Sequence, residues 1–118
     1  MYAIQSLDLA PAEAVHHGAT VHVHGEVYSP DHRQPVVLIG IVRADGTPVY
    51  GVASDMDGAS LAPVDPHRYR YSLLLPDLPL LPGKYFVRAH ALDPEGVRLF
   101  DTVERSLAAP AAALAAAA

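Results

Sequence analysis

No cysteine occurs among the 118 residues, which excludes a disulfide framework, a thiolate nucleophile and a cysteine-held zinc knuckle. Any core must hold by burial alone, which fits a reducing compartment. Basic residues are scarce: 8 Lys and Arg stand against 13 Asp and Glu, a formal charge of −5, with no run of Lys or Arg. That balance leaves no electrostatic footprint for nucleic acid or an anionic membrane surface. Long apolar stretches are missing too. None approaches the roughly 20 residues of a spanning helix, and Met1-Tyr2-Ala3-Ile4-Gln5 has neither the basic nor the apolar region of a signal peptide. The expectation is a soluble chain without direct membrane insertion, already free of its signal if it was exported.

A sustained 3.6-residue period is also absent before residue 107. What the chain has instead is 11 prolines and 8 glycines, mostly placed between apolar runs of strand length. From Ala19 to Tyr28 the odd positions are small or apolar and the even ones polar, the pattern of a strand with one buried and one wet face. After Ser29-Pro30-Asp31-His32, the run Pro35 to Val42 is apolar on both phases, which predicts a central strand covered on both sides. Asp45-Gly46 is a hairpin signal, and Pro48 to Val52 returns. Residues Asp55 to Asp65, rich in Asp, Gly, Ser and Pro, read as an exposed connection.

Alternation resumes at Arg68 to Leu75, with Tyr69, Tyr71, Leu73 and Leu75 on one face, the core face. Leu78 to Gly83 reads as a turn, followed by Lys84 to Ala91 with its odd positions buried. Asp93-Pro94-Glu95-Gly96 turns the chain into a last strand from Val97 to about Ser106. With a first strand over Tyr2 to Leu9, seven short strands result, the signature of an all-β, antiparallel sandwich with immunoglobulin-like layering. Tyr85 after Leu81-Pro82-Gly83 has the makings of a tyrosine corner. The chain has the length of one domain, taken as residues 1–107. The Ala-rich tail, 108–118, breaks from that pattern and is a short helix, disorder, or alanines standing for unassigned residues.

Catalytic constellations are hard to assemble. No G-x-S-x-G elbow sets Ser54, Ser60 or Ser72 beside a His and an acid, and most acids fall in turns whose geometry accounts for them. The expectation is a non-enzyme with no cofactor. Histidine is plentiful, and His22 and His24 stand two apart on one strand face as chelating pairs do. A metal site would need a third ligand from His16, His17, His32, His67 or His90. Solvent-facing strand histidines are the simpler account.

The segments Ile41-Val42-Arg43-Ala44-Asp45-Gly46-Thr47-Pro48-Val49-Tyr50-Gly51, Leu78-Pro79-Leu80-Leu81-Pro82-Gly83-Lys84-Tyr85 and Asp93-Pro94-Glu95-Gly96, with Asp101, together carry a resemblance. Over about residues 15 to 107 the chain resembles the C-terminal carbohydrate-binding domain of Wzt-type ATPases, the nucleotide-binding subunits of ABC transporters that export O-antigen polysaccharide. The resemblance implies an immunoglobulin-like sandwich that binds the modified end of a polysaccharide on a sheet face. It further implies a homodimer formed by exchange of the final strand, and a cytoplasmic place beside the inner membrane through the transporter's ATPase and membrane subunits. The ATPase domain itself is absent, since no G-x-x-x-x-G-K-[ST] loop occurs. Two departures bear on ligand and exchange: the family's Thr is replaced around Ser54 and Asp55, and the apolar end of its last strand by Ala-rich sequence.

Sugar recognition needs flat apolar surface for a ring face and planar groups for hydroxyls. The even set after Lys84, Phe86, Arg88 and His90, offers both if the odd set is core, with Tyr50, Ser54 and Asp55 at the rim. Two other readings stay open: a His22 and His24 metal-binding β-domain, and a pure dimerisation module in which Phe86 packs at an interface.

Overall fold

Val21, Val23 and Val27 are fully buried while His22, His24, Glu26 and Tyr28 between them are partly exposed, so the period of two in the sequence is the period of the strand. The computed structural model describes residues 1–10, 15, 18–54, 59–76, 78 and 80–109, the side chains of 59 and 60 excepted. Every helix or strand among them is a strand: β1 (Ala3–Ile4), β2 (Asp8–Ala10), β3 (Val21–Tyr28), β4 (Val36–Arg43), β5 (Pro48–Ala53), β6 (Ala59–Asp65), β7 (Arg68–Leu75), β8 (Gly83–Leu92) and β9 (Leu99–Ala109). Among these residues no helix is long and apolar enough to cross a membrane.

Two antiparallel sheets face each other. In the five-stranded sheet β6, β7 and β3 follow in order, and both β1 and β2 pair with the remaining edge of β3; the four-stranded sheet runs β5, β4, β8, β9. Between them lie Val37, Ile39 and Ile41 of β4, Tyr71, Leu73 and Leu75 of β7, and Val87, Ala89 and Ala91 of β8, all buried. The chain is therefore an all-β sandwich. One side is clipped by long-range bonds: Asp101 Oδ2 accepts the Ile4 N–H at 2.9 Å, and Arg105 Nε donates to the Leu7 carbonyl at 2.9 Å.

Several turns follow the sequence. Asp45 Oδ1 accepts the Thr47 N–H, and Asp93 Oδ1 accepts those of Val97 and Arg98. Tyr85 Oη donates to the Leu81 carbonyl at 2.6 Å and pins the loop before β8. That loop does more than turn, because Leu78 and Leu80 are buried against the core.

Other elements depart from the sequence pattern. The single N-terminal strand expected over Tyr2 to Leu9 is two, because the chain between them dips toward β3. There the Ser6 carbonyl accepts from Tyr71 Oη at 2.5 Å, and the Gln5 and Ser6 N–H groups both reach the Glu26 carbonyl. Gly25 makes the dip possible, since a Cβ there would run into the Ser6 carbonyl and stand 2.6 Å from Tyr71 Oη. Within the expected connection Asp55 to Asp65, residues 59–65 form β6 on the outer edge of β7. Pairing with an edge outweighs turn-rich composition, and Pro63 is tolerated in an outermost strand. The two apolar phases of β4 are covered unevenly: on the outward phase Val42 is buried, whereas Leu38 is 37% exposed. Finally, β9 runs on to Ala109, beyond the boundary at 107, with Leu107 and Ala109 buried.

Candidate functional site

The outer face of the four-stranded sheet is organised around β8. Because Tyr85, Val87, Ala89 and Ala91 point into the core, Phe86, Arg88, His90 and Leu92 point out. Antiparallel pairing puts a polar β9 residue beside each of the first three: Ser106 opposite Phe86, Glu104 opposite Arg88, Thr102 opposite His90. On the β4 side their partners are Val42, Gly40 and Leu38. Cross-strand partners share a face, so each row is one strip of surface.

The rows differ in chemistry. Phe86 and Ser106 border a shallow hollow of about 230 Å³ shared with Lys84 and Ala108. In the next row Arg88 Nε donates to Glu104 Oε2 at 3.0 Å, with both side chains more than a third exposed. In the third, His90 Nδ1 lies 2.8 Å from Thr102 Oγ1. Burial, and after it the Arg88 guanidinium, lower the His90 pKa below its ordinary 6.5, so the ring is mainly neutral at pH 7. The face thus offers an aromatic ring, a compensated ion pair and a neutral imidazole in line.

The rim residues fare differently. The register places Tyr50 opposite the fully buried Ile41, hence on the interior side of the sheet at its outer edge, 39% exposed. It does not share the face of Phe86, Arg88 and His90. Ser54 is occupied internally: its N–H donates to the Val37 carbonyl at 2.8 Å, and its Oγ accepts the Val37 N–H at 2.9 Å. Asp55 lies outside the described residues. Glu104, Thr102 and Ser106 are members of the face that the sequence pattern did not single out.

The opposite face carries the histidine pair. The His22 and His24 rings are 4.7 Å apart between centroids, and His22 Nε2 lies 2.5 Å from Ser72 Oγ. Among the described residues no group of three His, Cys, Asp or Glu is placed to hold a metal ion. His16 and His17 fall outside those residues. At one end of this sheet Tyr28, His67 and His32 form a second ring cluster, with centroid separations of 5.8 and 4.2 Å. It is tied to a loop in which Asp31 accepts from Tyr2 Oη at 2.7 Å and pairs with Arg33. The Tyr2 hydroxyl bond above all holds the Asp31 carboxyl well below the usual carboxylate range. His32 sits in the left-handed region, φ 65°, and its carbonyl accepts from Tyr69 Oη at 2.9 Å.

Fold and surface together define a β-sandwich with an open, mixed aromatic and polar sheet face. Compared with known proteins, the chain matches no family model and no curated sequence.

Proposed function

We propose that the chain is a non-catalytic carbohydrate-binding domain that takes an O-antigen-type polysaccharide destined for export by an ABC transporter. One observation carries the reading: Phe86, Arg88 and His90 stand in line on an open sheet face, each beside a hydroxyl or carboxylate from β9. An aromatic surface covers the apolar side of a sugar ring, and planar donors and acceptors meet its hydroxyls. The sequence resemblance supports the same ligand class and supplies the transporter setting, a cytoplasmic position beside its ATPase and membrane subunits. Pairing of two copies through the final strand belongs to the same proposal; β9, 11 residues long, is the outermost strand of its sheet, and the exchange would have to release the Ala108 carbonyl from the Val15 N–H, which donates to it at 2.9 Å.

The test is binding of purified chain to an array of bacterial polysaccharides, followed by titration calorimetry with those retained. Losing a polar partner of a bound group costs about 1–3 kcal/mol, so Arg88→Ala should weaken binding by about 5- to 150-fold, with thermal unfolding little changed. Phe86→Ala should lose binding by a similar factor. Unchanged affinity in both variants would refute the assignment of this face.

A further inference from the structure

We propose that the row formed by Gly51, Gly40, Arg88 and Glu104 seats one neutral sugar residue, its ring lying on the bare backbone of β5 and β4 and two adjacent hydroxyls meeting Arg88 and Glu104. The inference rests on the saccharide-binding reading of this face and names the place and class of the sugar.

Two glycines face each other across the β4–β5 ladder, and Gly40 is also the cross-strand partner of Arg88. Neither is required by a close approach of the chain's own atoms, and the irregularity of this ladder falls beyond them, between Ile41 and Val42. A Cβ on Gly40 would have the Tyr50 carbonyl as its nearest neighbour at 3.7 Å, and one on Gly51 the Ile39 carbonyl at 3.7 Å, both ordinary contacts. Neither residue has a φ in the left-handed range. Gly25 is the contrast, since there the backbone of Ser6 occupies the place of a side chain. Glycine weakens a strand interior, and among the reasons a strand keeps one is the close approach of a ligand to the bare backbone.

Gly51 is exposed and Gly40 partly so, and together they leave a strip of peptide two strands wide without side chains. Leu38 and Val42, four residues apart on β4 and so about 13 Å apart along the strand, flank it. Arg88 and Glu104 stand at its inner end, bonded to each other at 3.0 Å. Among the described residues Glu104 is the one hydrogen-bond partner of the Arg88 side chain, which carries five N–H donors. A guanidinium donates and a carboxylate accepts, and neighbouring hydroxyls do both. The carboxylate also sets the class: it offsets the Arg88 charge and repels a second anion, so a neutral sugar fits where a uronic acid or phosphate does not.

The experiment uses the whole chain, immobilised α-mannan and rhamnan as neutral probes, and polygalacturonate as the anionic one. Gly40→Val and Gly51→Val put a strand-forming side chain where the ring would lie. Each should keep or raise the unfolding temperature while binding of the neutral probes falls at least about tenfold, with little dependence on salt in the parent chain. Should a valine variant fold poorly, Gly40→Ala and the amide NMR shifts of Gly40 and Gly51 on titration with mannan decide the same point. Full binding by the glycine variants, with loss in Phe86→Ala, would overturn the ring position and leave the carbohydrate reading standing. Salt-sensitive preference for polygalacturonate would overturn the neutral class alone. Binding to none of these probes or of the bacterial polysaccharide array would overturn both.

Discussion

Replacing Gly25 by alanine adds a single methyl group to β3, and the structure gives that methyl no room. Its Cβ would run into the Ser6 carbonyl and stand 2.6 Å from Tyr71 Oη, while the Tyr71 ring behind is fully buried. Either the link between β1 and β2 must lift, breaking the Gln5 and Ser6 bonds to the Glu26 carbonyl, or Tyr71 must retreat from Ser6. Overpacking of this kind costs about 1–3 kcal/mol, and a buried hydroxyl and carbonyl left unpaired cost about 1–3 kcal/mol more. The strand preference of alanine over glycine returns about 0.5–1 kcal/mol. The net loss is about 1–5 kcal/mol, a substantial part of the stability of a small domain. For this length it should appear as a fall of roughly 5–20 °C in the unfolding midpoint. Urea titration monitored by circular dichroism measures it directly, and Tyr71→Phe should account for part of the loss without adding fully to it. A Gly25→Ala unfolding free energy within about 0.5 kcal/mol of the parent would refute the close approach of Ser6. Polysaccharide binding should survive, since the notch lies in the other sheet.

Other outcomes follow from single contacts. Tyr85→Phe removes the bond to the Leu81 carbonyl and should cost about 1–2 kcal/mol in urea unfolding, with no change in binding. Because Tyr2 and its neighbours depress the Asp31 carboxyl, the folded state binds the proton less readily than the unfolded chain, whose value is 3.8. Asp31 therefore stabilises above that pH and ceases to do so as the pH falls below it, and Asp31→Asn should flatten the acid limb of unfolding temperature against pH. Glu104→Gln keeps the size of the side chain but removes the charge. In a binding titration it should loosen the preference for neutral over anionic polysaccharide.

How far the sequence reached depended on where its periodicity was unambiguous. In β3 the alternation is clean, and in β8 the odd phase is apolar throughout from Tyr85 to Ala91, so the buried phase, and with it the outward set Phe86, Arg88 and His90, could be read directly. In β4 both phases are apolar, and nothing local says which one faces the core. The side on which Tyr50 lies follows from Ile41 and was therefore illegible. The partners Ser106, Glu104 and Thr102 were hidden for another reason. A register shift between Ala91 and Leu92 displaces the ladder, so counting outward from the Asp93 turn gives the wrong pairs. β6 has the composition of a loop and becomes a strand through the unpaired edge of β7. The role of Gly25 is set by a carbonyl 19 positions earlier in the chain, beyond the reach of any short pattern.

The placement of two prolines governs how such molecules behave in a crowd. Pro48 opens β5 and Pro63 lies within β6, the outermost strands on one flank of the two sheets. A proline has no N–H to offer a stranger, so each interrupts the row of donors along which another chain would zip. That flank is thereby guarded against runaway stacking into fibres even when many copies are held close together. The other flank, where β9 carries Asp101, Glu104 and Arg105, is guarded by charge instead. A charged border repels indiscriminate neighbours, so the two flanks resist unwanted strand addition by different means, one by missing donors and the other by charge.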